Sequence, residues 1–175
     1  MKEKILIAVL LLSSLTLFTL SCQKESAQKP QPQEEIATTI GTANNPTFNL
    51  EVILRGEDGG LGHIKFRQDV DPSKIIVLDT WVRDLEPNHQ YLLQRAVDAA
   101  NVVDGDCTST SWLTLGKGLT PQTILTNDNG TGSEELWRDV STVASGTAFD
   151  IHFRIVDATT MVVVLTSDCY QYVVR

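Results

Sequence analysis

The chain has 175 residues and a formal net charge of −8, with 22 acidic side chains against 14 basic ones. Proteins that bind nucleic acid or anionic headgroups use Lys and Arg to displace counterions from phosphates. An acidic chain of this length is therefore predicted to fold into one main domain that does not bind nucleic acid.

The first 21 residues have the layout of a secretory signal. A short start with Lys2 and Lys4 is followed by an apolar run from Ile5 to Leu20 and by the small residue Ser21. At about 1.5 Å rise per residue, this run is too short to cross a bilayer core of about 30 Å. The sequence therefore predicts a cleaved export signal over residues 1–21 and no permanent transmembrane helix.

Residues 17–22, Leu-Phe-Thr-Leu-Ser-Cys, resemble the lipobox of bacterial lipoproteins, in which a small residue precedes a cysteine that takes a diacylglyceryl group. One position departs from the usual pattern, because Thr19 stands where Leu is common. The resemblance implies that Cys22 is the lipid attachment site and that acyl chains tether the mature protein to a membrane. Residues 23–25, Gln-Lys-Glu, resemble the signals after the cysteine that some Gram-negative lipoproteins use to reach the cell surface. This resemblance implies an outer-membrane or cell-surface location, with a periplasm-facing one as the alternative. An ordinary signal peptide with an incidental cysteine is the competing interpretation.

The chain from Cys22 to about residue 45 is rich in Gln, Glu, Lys, Pro and Thr, and Ile36 and Ile40 are its only large apolar residues. Such a composition cannot bury enough apolar surface to offset the entropy of ordering. We therefore predict a flexible linker over residues 22–45, followed by a folded domain over residues 46–175.

The chain has three cysteines, and lipid at Cys22 leaves Cys107 and Cys169 as a possible pair. Exported proteins generally oxidise such a pair. The sequence therefore predicts one disulfide, with two reduced thiols as the alternative.

Alternation of apolar and polar residues with a period of two dominates the domain, which indicates half-buried strands. Strands are predicted over 48–54, 64–70, 75–83, 91–97, 112–115, 122–126, 134–140, 148–156, 160–166 and 169–174. The first return strand places Ile64, Phe66 and Val70 on one side. Short strands without a convincing helix predict an all-β fold, an antiparallel Greek-key β-sandwich of about eight strands. A short helix near residues 94–100 is the local alternative.

Residues 85–91, Leu-Glu-Pro-Asn-His-Gln-Tyr, resemble the turn that immunoglobulin-like and fibronectin-type domains use at a Greek-key corner. This resemblance implies that the phenol of Tyr91 bonds back to the backbone of the turn.

A fainter resemblance is to copper/zinc superoxide dismutases, whose disulfide also joins a long loop to a position near the last strand, as Cys107 and Cys169 would. The copper ligands of that family do not carry over, because residues 91–95 contain no His-x-His pair. His63, His89 and His152 are scattered along the chain. The resemblance thus implies a sandwich without metal, and no cofactor is predicted.

Three polar constellations have a plain structural explanation. Asp150 and His152 share one strand face, but no motif marks a nucleophile beside them. Residues 127–130, Asn-Asp-Asn-Gly, lack the spacing of a calcium-binding EF-hand loop and are predicted to form a hairpin turn. Residues 104–106, Asp-Gly-Asp, are treated in the same way. The protein is therefore predicted not to be an enzyme.

Two tryptophans are the best candidates for ligand contact. Trp81 shares its strand face with Asp79, and Trp137 shares its face with Glu135, so both are predicted to point away from the core. Tryptophan among carboxylates can stack on a sugar ring or seat a protein partner, although packing under a loop is the alternative. Trp112 could serve either role. The predicted function is a membrane-anchored, non-catalytic binding or scaffold module. A degenerate dismutase-like domain with a residual metal or redox role is the alternative.

Overall fold

A computed structural model describes residues 47–175 of the protein, so the predicted signal, the predicted lipid site Cys22 and the whole predicted linker lie outside the described residues. The described part of the chain contains twelve strands and no helix, which confirms the prediction of an all-β domain. The strands are β1 (Thr47–Arg55), β2 (Leu61–Asp69), β3 (Ile75–Arg83), β4 (Gln90–Val97), β5 (Leu113–Thr114), β6 (Gly116–Lys117), β7 (Thr120–Pro121), β8 (Thr123–Leu125), β9 (Gly132–Asp139), β10 (Ala148–Asp157), β11 (Val163–Ser167) and β12 (Tyr170–Val173).

Every predicted strand is present, with shifts at the ends. The alternative of a helix near residues 94–100 is wrong, because β4 continues to Val97. β6 and β7 were not predicted, since two residues are too few to show a period.

All strands belong to one hydrogen-bonded sheet, whose path runs β5-β4-β10-β11-β1-β2-β3-β9-β6-β7. β8 pairs with β4 and leads through a tight turn into β9, which brings the two arms of the path together and makes the sheet nearly barrel-shaped. The ladders are antiparallel except for one parallel bridge between Lys117 of β6 and Trp137 of β9. The sheet is therefore mixed.

The predicted antiparallel Greek-key sandwich of about eight strands is not confirmed. β11 pairs with β10 on one edge and with β1 on the other, so hydrogen bonding continues where a sandwich would have a gap between its layers. β10 pairs with β12 along its first half and with β11 along its second. Its register shifts between Ile155 and Val156, and such a bulge bends a strand and helps a sheet to curl.

The core lies on the inner face of the curled sheet, because alternate residues of each long strand point there. Its fully buried members include Leu54, Ile64, Leu78, Leu93, Phe153 and Leu165. Burying one such side chain contributes about 1.5–3 kcal/mol.

One inward position differs from the prediction. Val70 is 58% exposed because β2 ends at Asp69, and the last inward residue of that strand is Gln68, which is fully buried. The Oε1 atom of Gln68 accepts hydrogen bonds from the Tyr172 hydroxyl at 2.6 Å and the Arg175 backbone N at 2.9 Å. The inward side of β2 therefore ends in the polar side chain of Gln68, and the predicted inward position of Val70 is wrong.

The turn before β4 forms the predicted backward bond. The backbone N of Glu86 donates to the phenol oxygen of Tyr91 at 3.1 Å, and the carbonyl of Glu86 accepts from the Thr126 hydroxyl at 2.6 Å. Gly130 packs against this turn with φ +70, and a Cβ there would lie 2.1 Å from the carbonyl oxygen of Leu85. The turn before β4 therefore packs tightly against the turn that joins β8 and β9.

The predicted disulfide is confirmed. Cys107 and Cys169 are bonded with their Cα atoms 5.4 Å apart, which ties the loop after β4 to the junction of β11 and β12. Two carboxylates hold the same loop. Asp98 accepts from the backbone N of Thr108 and of Ser109, and the fully buried Asp150 accepts from two successive backbone N–H groups, those of residues 104 and 105. The loop after β4 is thus attached to β10 and to the junction of β11 and β12 by one disulfide and several hydrogen bonds.

Candidate functional site

Trp81 and Trp137 lie on the outer face of the sheet, on the neighbouring strands β3 and β9. The register pairs Trp81 with Ser133 and Trp137 with Val77, so both indoles project from the same side. Their side chains are 40% and 37% exposed. We call this surface, with Asp79 and Glu135 between the two rings, the tryptophan face. Four residues separate the rings along the strands, which is roughly 13 Å at about 3.3 Å per residue.

Trp81 is supported from one side by β2. The His63 ring stacks on it with centroids 5.7 Å apart and an angle of 22° between the planes, and Lys65 Nζ lies 5.6 Å from the indole centroid. His63 also contacts the Glu51 carboxylate. Shallow depressions flank the ring, one of about 270 Å³ towards Ser133 and Glu135 and one of about 260 Å³ towards Leu61 and Ile53. The indole of Trp81 therefore lines both depressions and separates one from the other.

Trp137 is positioned by the turn between β6 and β7. Gly118 adopts φ +67 there, and a Cβ on it would lie 2.7 Å from the indole ring. The Gly118 backbone N donates to the Trp137 carbonyl at 3.0 Å. One side of the ring thus packs against a backbone that tolerates only glycine, while more than a third of the side chain remains exposed.

The carboxylates near the two rings differ in their partners. Arg67 Nη2 donates to Asp79 at 2.6 Å, and Lys117 Nζ lies 2.8 Å from the Glu134 carboxylate. Glu135, which pairs with Asp79 across the strands, is exposed and makes no ion pair or side-chain hydrogen bond within residues 47–175. Glu135 is therefore the carboxylate of this face that can accept a hydrogen bond from a ligand.

The histidines outside this face have structural partners. His89 contacts the Asp157 carboxylate, and His152 Nε2 lies 3.0 Å from the Ser109 carbonyl. Backbone N–H groups of the following turn, that of Thr160 most strongly, lower the pKa of Asp157 from 3.8 to about 2. Across residues 47–175 no group of three or more His, Cys, Asp or Glu side chains is arranged to hold a metal ion.

The other polar constellations also have structural roles. Asp150 and His152 do not act on one another, because Asp150 holds the loop after β4 while His152 bonds to Ser109. The side chain of Asn127 accepts from the backbone N of Asn129 and of Thr131, which is the predicted hairpin turn. These sites need no ligand to explain them.

Trp112 packs against the sheet. Its ring contacts both Arg154, whose Cζ is 4.0 Å from the indole centroid, and His152, whose ring centroid is 4.6 Å away. Arg154 Nε also donates to Gln94 at 2.8 Å. Trp112 therefore closes the outer surface of β4 and β10.

Two inward arginines were missed by the sequence reasoning. Arg95 falls on the same side of β4 as Tyr91 and Leu93, and Arg138 falls on the same side of β9 as Leu136. Burial, and to a lesser degree the charge of Arg138, lower the pKa of Arg95. The signal was visible in the sequence for Arg95, which interrupts the apolar alternation of Tyr91, Leu93 and Val97, but it was weaker for Arg138, whose side of β9 also carries Glu134.

Comparison of the chain with protein-family models, curated proteins and solved structures finds no match. Within residues 47–175 no helix is long and apolar enough to span a membrane.

Proposed function

We propose that the protein is an exported lipoprotein, attached to a membrane through Cys22, whose domain is a non-catalytic module that binds a glycan on the tryptophan face. One observation carries the binding proposal: Trp81 and Trp137 are both exposed on one side of the sheet, and between them lies Glu135, which has no partner in the described part of the chain. Indole rings stack on the apolar faces of sugar rings, and a carboxylate accepts hydrogen bonds from sugar hydroxyls.

The spacing of the two rings sets the kind of glycan. A gap of roughly 13 Å along the strands is too wide for one small ring-shaped molecule to touch both indoles. An extended chain of several sugar units would contact Trp81, pass Glu135 and reach Trp137. The backbone contact of Gly118 beneath Trp137 and the stacked His63 beside Trp81 hold the rings in place, which reduces the entropy lost on binding.

The proposal of an anchor is supported by the use of the cysteines. Cys107 and Cys169 are bonded to each other, so Cys22 is the remaining cysteine of the three in the chain. An odd cysteine in an exported protein needs an explanation, and lipidation supplies one. The proposed location is the outer membrane or the cell surface, with a periplasm-facing location as the alternative.

A glycan array tests the binding proposal. We expect the purified full chain to bind extended oligosaccharides, and Trp81→Ala and Trp137→Ala each to weaken binding about tenfold, which corresponds to the loss of roughly 1.4 kcal/mol of aromatic contact. Val163→Ala, which removes an exposed apolar side chain on β11, is the matched control and should bind as the wild type does. Glycan binding that both tryptophan variants retain would contradict the proposal, and binding of a protein but of no glycan would replace the proposed ligand.

A degenerate dismutase-like domain with a residual metal or redox role is the second candidate. Two features support kinship with Greek-key sandwich families: the disulfide from the loop after β4 to a position before the last strand, and the backward hydrogen bond at Tyr91. One feature is against it, because β11 also pairs with β1 and so continues the sheet. Elemental analysis of the purified chain separates the two. Stoichiometric copper or zinc would contradict the non-catalytic proposal.

A further inference from the structure

The interior of the curled sheet opens into a pocket at the end where β4 and β9 finish. Its volume is about 80 Å³, and its walls are mainly apolar, with Phe66, Phe149 and Phe153 among them. Two charged side chains, those of Arg95 and Arg138, also line it. A pocket with apolar walls and a few convergent polar groups is the usual form of a small-molecule site.

Among residues 47–175 the two guanidinium groups have no acidic partner. Arg138 Nη1 donates to the Gly118 carbonyl at 3.2 Å, whereas Arg95 makes no ion pair and no side-chain hydrogen bond within the described residues. Asp139 is the acidic neighbour of Arg138 in sequence, but it points to the outer face of β9 and bonds to Ser141. Two half-buried cations near one another without a carboxylate are costly to the fold, because burial and like charge both disfavour them.

The residues behind the pocket also include hydrogen-bond donors without a partner in the described structure. Tyr172 lines the pocket and donates its hydroxyl to Gln68 Oε1, and neither of these neutral side chains supplies a carboxylate to the arginines. The buried Gln68 Nε2 and Arg175 Nε donors have no hydrogen-bond partner in the described structure. The described residues thus leave hydrogen-bond donors without partners beside the pocket, and a ligand group that has only acceptor atoms could pair with donors of this kind.

We propose that this pocket binds a small aliphatic monocarboxylate, whose carboxylate lies between Arg95 and Arg138 and whose hydrocarbon part enters the apolar interior. Guanidinium groups bind carboxylates through paired, charge-assisted hydrogen bonds. The volume limits the hydrocarbon part, because a cavity of about 150 Å³ holds benzene, so a pocket of 80 Å³ encloses roughly three or four non-hydrogen atoms. A four-carbon acid such as butyrate is therefore the fitting probe.

The site is independent of the tryptophan face, since its residues are on the inner side of the sheet and Trp81 and Trp137 are on the outer side. Failure of the glycan experiment would leave this proposal standing, and the reverse also holds.

Isothermal titration of the purified full chain with butyrate tests the proposal. We expect saturable binding of butyrate, binding at least tenfold weaker for the uncharged analogue butyramide, and binding at least tenfold weaker for inorganic phosphate, which has charge but no hydrocarbon part. Arg95→Met and Arg138→Met should each weaken butyrate binding about tenfold or more, since each removes a charge-assisted contact. Arg55→Met, at an exposed position of β1, is the matched control and should bind butyrate within about twofold of the wild type.

Several outcomes would overturn the proposal. Absence of butyrate binding at millimolar concentration refutes the site itself. Equal affinity for butyramide refutes the role of the arginines, and equal affinity for phosphate refutes the role of the apolar walls. These comparisons use the wild-type chain alone, so they decide the matter even if an arginine variant does not fold.

Discussion

Removal of the disulfide offers a sharp quantitative test of the fold. The double variant Cys107→Ala, Cys169→Ala opens a covalent loop whose ends are 62 residues apart. In the chain-entropy account, a cross-link that closes a loop of that length lowers the entropy of the unfolded chain and so raises its free energy by about 4 kcal/mol at 25 °C. The loop after β4 keeps its other ties in the variant, because Asp98 and Asp150 still accept hydrogen bonds from its backbone. We therefore expect the native structure to survive while the unfolded state gains entropy.

The assay is equilibrium unfolding in urea, followed by tryptophan fluorescence, on the wild type and the double variant. We expect the free energy of unfolding to fall by about 3–4 kcal/mol and the melting temperature by roughly 10–15 °C, with little change in far-ultraviolet dichroism. Wild-type protein unfolded in the presence of a reductant should match the variant. A decrease in the free energy of unfolding of less than about 1 kcal/mol would contradict this expectation. It would mean that the unfolded chain has nearly the same conformational entropy with and without the disulfide.

Three further predictions concern single side chains. Tyr91→Phe removes the acceptor of the Glu86 backbone N and should lower the free energy of unfolding by about 1–3 kcal/mol in urea titrations; no loss would mean that the corner does not depend on this bond. Arg95→Met replaces a half-buried cation, which has no partner among the described residues, with an apolar side chain. We expect the ligand-free variant to have a higher melting temperature than the wild type and a free energy of unfolding about 1–3 kcal/mol larger. A lower melting temperature would show that the arginine supports the fold. The folded-state pKa of Asp157 is lowered from 3.8 to about 2, so its ionised form contributes stability above pH 3.8 that is lost as the pH falls towards 2. Wild type should therefore be more stable than Asp157→Asn near pH 5, with the difference shrinking between pH 3.8 and 2; a difference that is constant over this range would contradict the assignment.

The strands could be predicted because their apolar alternation is local. β3 has the predicted bounds Ile75–Arg83, and its alternate residues are buried. Exposure of Trp81 and Trp137 on a common side follows from the same parity once β3 and β9 are known to be neighbours. Periodicity also places Tyr91 correctly after its turn.

The closure of the sheet could not be predicted from that local signal. It depends on β11 pairing with both β10 and β1, and on the two-residue strands β6 and β7, which carry no period of their own. The inward position of Arg95 and Arg138, which the proposed carboxylate site uses, could not be predicted for another reason. Alternation assigns inward positions to apolar residues, so it does not predict that a charged side chain will point inward. A charged residue at such a position is a candidate for a functional site.

The claim that the domain works at a membrane depends on Cys22, and one measurement tests it most directly. Intact-mass and peptide mass spectrometry of the protein purified from membranes should find an N-terminal Cys22 that carries acyl chains, while the Cys22→Ser variant should lack them and leave the membrane fraction. A Cys22→Ser variant that remains acylated and membrane-bound, or a wild-type Cys22 peptide without lipid, would contradict the anchored module proposed for this chain.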